Sequence, residues 1–191
     1  MARRSDHTKE ELIDLAIEKA IEIIDKNGLS GFSARKVAEK MGYTVGTLYH
    51  TFGSYDGLMF HVNGRTLDTW YAELSEGLKK KKGDKLHYLA QAYLSFARNH
   101  YSRWITLFEF HAATPMPDWY RQKADRLFGL IEETLPSHSK NLKKSRQSAK
   151  VLWASIHGIC ALSLSGKLDS VDADSAETLI NELLKIYVRG L

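Results

Sequence analysis

The sequence predicts an all-α protein in two parts: a three-helix headpiece with a helix-turn-helix over residues 1–53, and a larger helical domain over residues 54–191. Three observations predict it. Apolar residues recur at helical spacing along nearly the whole chain, and no stretch reads as a strand. Glycines and capping residues punctuate the first sixty positions closely, whereas the three prolines, Pro115, Pro117 and Pro136, all fall late and mark loops. At 191 residues the chain is long enough for a small headpiece and a second, core-bearing domain.

Each element has its own signal. Thr8 and Glu11 form a capping box for a first helix in which Ala16, Ala20, Ile23 and Ile24 share a face, ending near Asn27-Gly28. Ser33 caps the second, whose stripe is Val37, Ala38 and Met41, and Gly42 ends it because a residue without Cβ suits the left-handed turn past a helix end. Thr44 caps the third, pinned by Leu48 and Phe52, and a break at Gly53 leads to Ser54, the cap of a fourth helix reaching residue 80. Breaks at Gly83-Asp84, His100, 114–117, 136–140 and 166–174 divide the remainder into helices near 84–99, 101–111, 118–134, 141–165 and 174–190. There is no internal repeat, low-complexity segment or long linker.

The third helix buries little. Val45, Gly46, Thr47, Tyr49 and His50 are left facing outward, a narrow surface of small, hydroxyl and aromatic groups that suits the major groove of double-stranded DNA. Thr44, Tyr49 and His50 are expected at the duplex, the last two mainly on phosphates, with Val45, Gly46 and Thr47 near base edges. Through residue 65 the basic side chains (Arg3, Arg4, Lys9, Lys19, Lys26, Arg35, Lys36, Lys40, Arg65) are matched by as many acidic ones, so affinity must come from placement. Arg3 and Arg4 on an N-terminal arm, and Ser33, Arg35 and Lys36 at the start of the second helix, are the nominees. The basic excess lies later, at 79–82 and in Lys140, Lys143, Lys144, Arg146 and Lys150, and reads as solvated helix ends.

Residues from Thr8 to about Val62 resemble the DNA-binding domain of the tetracycline-repressor (TetR/AcrR) family. The matching residues are Ala20, Ile24, Gly28, Phe32-Ser33, Val37-Ala38, Met41-Gly42, Thr44, Gly46-Thr47-Leu48-Tyr49, Phe52, Ser54 and Leu58. Where that family usually carries a phosphate-binding Lys after the fourth helix's cap, this chain has Tyr55, which offers only a hydroxyl. Further on, Trp153, His157 and Gly158 are similar to the W…HG signature of one C-terminal subclass. The resemblance implies a ligand-responsive transcription factor, most often a repressor, whose recognition helices lose half-site spacing when an effector binds.

The two terminal helices carry the assembly argument. Residues 151–164, VLWASIHGICALSL, offer almost no polar face, so both sides of that helix should be covered. The last helix has Ala176, Leu179, Ile180, Leu183, Leu184 and Tyr187 in a broad stripe, and with Trp153, Ile156, His157 and Cys160 these are the expected seam of a two-fold homodimer. A dimer also doubles the DNA read, with half-sites about one turn, ~34 Å, apart. Gly158 would let another helix approach closely. His157 stays open between a structural hydrogen bond and a ligand contact, and Cys160 reads as a buried, unreactive thiol with no internal disulfide partner.

Large rings crowd the middle of the chain, with Trp104, Phe108 and His111 on one helical face. Tyr93, Phe96, Trp104, Phe108, His111 and Trp153 are nominated as lining for an apolar or aromatic small-molecule effector. The alternative is a dimeric DNA-binding regulator with no such effector, controlled by a protein partner or by abundance, which a solid core would favour. No G-x-S-x-G, Walker loop or H-E-x-x-H occurs and the histidines are scattered, so no catalysis, cofactor or metal is expected. With no apolar run able to span a bilayer and no signal pattern after Met1, the expected setting is soluble and cytoplasmic, with no membrane partner.

Overall fold

Capping chemistry draws the helix borders of the first sixty residues. The Thr8 side chain accepts from the Glu11 N–H at 3.2 Å while the Glu11 carboxylate accepts from the Thr8 N–H at 2.7 Å, and α1 (Lys9–Asn27) begins there. Ser33 Oγ accepts from the Lys36 N–H at 3.3 Å to open α2 (Ala34–Met41), which stops at Gly42 with φ 73°, a left-handed turn costly for any residue with a Cβ. Thr44 Oγ1 accepts from the Thr47 N–H at 3.2 Å for α3 (Val45–Phe52), and Ser54 Oγ accepts from the Gly57 N–H at 3.0 Å at the start of α4 (Tyr55–Lys80).

The computed structural model describes residues 7–135, 142–168 and 174–189, and every regular element among them is a helix. After α4 come α5 (Lys85–Asn99), α6 (Tyr101–Glu109), α7 (Asp118–Thr134), α8 (Leu142–Leu164) and α9 (Ala176–Arg189). No helix among the described residues is long and apolar enough to cross a membrane.

The chain divides into two compact units, residues 1–68 with 100–121, and residues 69–99 with 122–191. In the first, the apolar stripes of α1, α2 and α3 meet the start of α4: Ala16, Ala20, Ile24, Val37, Leu48, Leu58 and Met59 are buried together. The unit extends beyond Gly53 because α6 packs on α1, where Arg103 grips Asp25 in a two-pronged pair at 2.7 and 2.6 Å. In the second, α5 is covered by α8 and α9. Leu89, Tyr93 and Phe96 of α5, Leu152, Ile156 and Cys160 of α8, and Ala176, Ile180 and Leu184 of α9 form its core with Trp70. Arg98 pairs with Glu177, and Gln91 Nε2 donates to Asn181 Oδ1 at 3.0 Å, tying α5 to α9.

α6 is shorter than its periodicity predicts, and α9 starts two residues later than expected, at Ala176. The spacing carries α6 to residue 111, but Phe110 turns extended (φ −73°, ψ 118°), and its ring settles against Phe60 and Tyr55. His111 is therefore off the face shared by Trp104 and Phe108, exposed, with its Nδ1 2.8 Å from the Glu109 carbonyl oxygen. Ring burial outweighs one more half-turn of helix.

Candidate nucleic-acid interface and helical sites

The outward surface of α3 is built by what its inward side anchors. Leu48 is wholly buried and Phe52 half-buried, its ring 5.2 Å from that of His61. That leaves Thr44, Gly46, Tyr49 and His50 exposed, Tyr49 by 42%. Thr47 is half-exposed, its hydroxyl 3.1 Å from that of Thr44, and Thr51 Oγ1 donates to the Thr47 carbonyl at 2.9 Å. Val45 is drawn inward against the headpiece core, so it presents less to solvent than its position suggests. A Cβ built at Gly46 would meet only Thr44 Oγ1, at 3.6 Å, so nothing within the protein requires glycine there.

Beside α3, Arg35 is largely exposed with its Nε 3.0 Å from Glu39 Oε1, and Lys36 Nζ donates to the Gly31 carbonyl at 2.6 Å. Both cations sit in the first turn of α2, where Ser33 is spent on its own capping bond. Tyr55 is half-buried, its ring 5.9 Å from Phe32 and 6.4 Å from Phe110, and burial, with the neighbouring Asp56 charge, raises the pKa of its phenol. The residue in the lysine's place is thus largely a packing residue. Arg3 and Arg4 lie outside the described residues.

The rings nominated for a ligand fall into two groups. In the first unit, Trp104 is buried with Phe108 at 5.5 Å. In the second, Trp70 stacks on Phe96 at 4.7 Å and meets Tyr93 at 4.8 Å. The Tyr93 hydroxyl lies 2.9 Å from His157 Nδ1, and Trp153 stacks on His157 at 5.6 Å and meets Phe128 at 5.3 Å. His157 is thereby hydrogen-bonded inside its own unit, and burial lowers its pKa.

The first unit also holds a concavity of about 360 Å³ lined by Phe60, Leu107, Phe110, His111, Ala112, Thr114, Met116 and Tyr120. Of the nominees it includes only His111. The other lining residues share no periodicity, because residues 112–117 lie between helices and the rings belong to three separate helices and their ends. The one usable signal was Thr114-Pro-Met-Pro117, an apolar residue in a rigid turn. Asp56, buried in the first turn of α4, accepts from the Thr114 N–H at 2.8 Å and from its hydroxyl at 2.9 Å.

The residues of the expected seam fall into two groups by burial. Ile156, Cys160, Ile180 and Leu184 are buried within the chain itself. Burial pushes the Cys160 thiol up to about 12, so it is inert at neutral pH. Trp153, His157, Leu179, Leu183 and Tyr187 are half-buried, the Tyr187 hydroxyl donating to the Ser148 carbonyl at 2.5 Å. The open face of α8 is the opposite one, with Val151 51% and Leu162 45% exposed, and Ile186 of α9 is 70% exposed. Among the described residues, an added Cβ at Gly158 would meet nothing within 4 Å.

Residues 16–62 match the family described as bacterial regulatory proteins, tetR family, and residues 86–186 match the tetracyclin repressor-like, C-terminal domain. The uncharacterized HTH-type transcriptional regulator Rv0681 of Mycobacterium tuberculosis is 23% identical over 163 residues, 85% of this chain and 74% of that protein. The structure of a protein with unknown function from Rhodococcus sp. RHA1 aligns with a TM-score of 0.77 at 19% identity, over 100% of this chain and 99% of that one. The transcriptional regulator FadR from Bacillus subtilis, solved in complex with stearoyl-CoA, aligns with a TM-score of 0.60 at 16% identity, over 93% and 98%. At these identities the structural likeness is one of fold.

Proposed function

This chain belongs to the tetR family of bacterial regulatory proteins and is a transcriptional regulator, not an enzyme; we propose that it is a repressor that binds a two-fold symmetric operator as a homodimer and releases it when a small molecule binds. The reading divides the labour at Gly53, with residues 1–53 on DNA and residues 54–191 serving effector and dimer.

The observation that carries the DNA role is the surface of α3, where Thr44, Gly46, Tyr49 and His50 are exposed around a fully buried Leu48. Thr47 and Gly46 face base edges in this reading, and Tyr49, His50, Arg35 and the Arg3-Arg4 arm face phosphates. For the dimer, the support is the open apolar face of α8 (Val151, Ala154, Gly158, Leu162, at spacings that share one helical side) together with exposed Ile186. Trp153, His157, Leu179, Leu183 and Tyr187 border that seam. An effector is supported by the concavity in the first unit, which a protein controlled only by abundance has no need of, and by a relative of the same fold crystallised with stearoyl-CoA. Only a molecule with different affinities for the two states can shift them.

Footprinting on DNA flanking the protein's own gene, followed by selection of preferred sites, tests the reading. Two protected half-sites about one turn, ~34 Å, apart are expected. Tyr49→Phe should weaken all sequences alike, while Thr47→Ala should change base preference. Unchanged affinity and preference in both variants would remove α3 from the interface.

A further inference from the structure

We infer that the concavity lined by Phe60, Phe110, His111, Thr114 and Tyr120 binds an apolar molecule that carries one O–H or N–H donor and no negative charge. The inference rests on the effector reading above and specifies the chemistry of the effector. The volume, about 360 Å³, is that of a small-molecule site. Phe60 and Tyr120 are buried and form the apolar floor, while His111, Ala112, Thr114 and Met116 are exposed around the mouth.

Two side chains at that mouth present acceptors. Thr114 gives both of its hydrogens to Asp56 Oδ2, the N–H at 2.8 Å and the hydroxyl at 2.9 Å, so its oxygen has only lone pairs to offer. His111 Nδ1 lies 2.8 Å from the Glu109 carbonyl oxygen, which can only accept. Nδ1 therefore carries the hydrogen, and in the neutral ring Nε2 is the bare acceptor. The Tyr120 hydroxyl, its pKa pushed up to about 12 by burial, stays protonated at neutral pH and offers one O–H from the floor but no positive charge. Among the described residues no Lys or Arg lines the space, and the Asp56 carboxylate stands directly behind Thr114. An anion would meet these lone pairs and a like charge with no cation to balance it, whereas a phenol, alcohol or amine gives its hydrogen to the Thr114 oxygen.

The same contacts tie this site to DNA binding. Asp56 lies in the first turn of α4, three residues past the Gly53 that closes α3, and Tyr55 beside it packs on Phe32 of the headpiece core and on Phe110 of the cavity wall. A molecule that draws on Thr114 pulls on the turn that seats the recognition helix. Linkage makes the coupling reciprocal, so operator DNA must alter affinity at the cavity by the same factor.

Isothermal titration of the full chain with three probes of one shape tests this: 4-propylphenol, its donor-free ether 4-propylanisole, and anionic 4-propylbenzoate. The phenol should bind, the anisole at least about tenfold more weakly, and the benzoate not at all. Ala112→Phe, at an exposed rim position, should abolish phenol binding while far-UV circular dichroism and the thermal midpoint stay as in the parent chain. Thr114→Val should erase the preference for phenol over anisole. No phenol binding at ~1 mM, equal affinity for phenol and anisole, tighter binding of benzoate, or phenol binding that survives Ala112→Phe each overturns the inference. The effector reading fails separately. Phenol that binds as described but leaves operator affinity unchanged sinks that reading alone, whereas a different molecule that releases DNA equally from the parent chain and Ala112→Phe leaves that reading standing and removes this site from it.

Discussion

Gly57, in the first turn of α4, lies so close to Phe52, the last residue of α3, that a Cβ on it would stand 2.0 Å from the Phe52 carbonyl oxygen. α3 is thus seated by backbone packing against α4 as well as by its buried Leu48. Gly57→Ala should push the two helices apart and lower stability by about 1–3 kcal/mol, the usual cost of overpacking. Urea denaturation checks this, and an unmoved midpoint would mean that the junction yields.

Gly46 should behave in the opposite way. A methyl there meets only Thr44 Oγ1 at an ordinary 3.6 Å. Alanine is also favoured over glycine inside a helix by ~0.5–1 kcal/mol. Gly46→Ala is therefore expected to keep or raise the thermal midpoint while weakening operator binding about tenfold, because the added methyl occupies space given to base edges. Wild-type affinity in a gel-shift titration would move the groove contact away from Gly46.

Ile186→Glu should separate dimerisation from folding. Ile186 is 70% exposed within one chain, so the variant should fold normally yet sediment as a monomer where the parent sediments as a dimer. Ile180→Glu, at a fully buried position, should instead unfold the second unit, since an unpaired buried charge is heavily penalised. A dimeric, well-folded Ile186→Glu protein would place the seam elsewhere.

Burial holds the folded-state pKa of His157 below its unfolded value, near 6.5. The neutral ring is the form the fold favours. Its contribution to stability is therefore complete above pH 6.5 and is lost as pH falls below that value toward the depressed folded pKa, where the unfolded chain binds the extra proton. Chemical denaturation at pH 7.5 and 5.5 should show the parent chain losing more stability on acidification than His157→Gln. Equal losses would show that His157 has no part in the acid sensitivity.

The exposed surface of α3 was legible because its determinants are local. Thr8, Ser33, Thr44 and Ser54 each bond a backbone N–H three residues on, and those pairings can be read from spacing alone. Periodicity likewise marked Leu48 as buried. It could not show that Val45 turns inward or that Tyr55 is clasped by Phe32 and Phe110, because those partners lie far off in sequence.

At the other end of the chain, hydrophobic patterning identified α8 and α9 as more apolar than a surface helix should be, without saying which side of each is spent inside the chain. Ile156, Cys160, Ile180 and Leu184 went inward against the covering of α5, leaving Val151, Leu162 and Ile186 outside. The cavity was equally invisible. It depends on where Phe110 turns out of α6 and on the Asp56–Thr114 bonds that bring residues 58 apart together. The sequence by itself determined the helices, the capped borders of the first sixty residues and most of the exposed face of α3, since propensity and capping act over three or four residues. Only the tertiary structure decided which apolar face stays open and where a concavity forms, because burial is settled by side chains that meet through space.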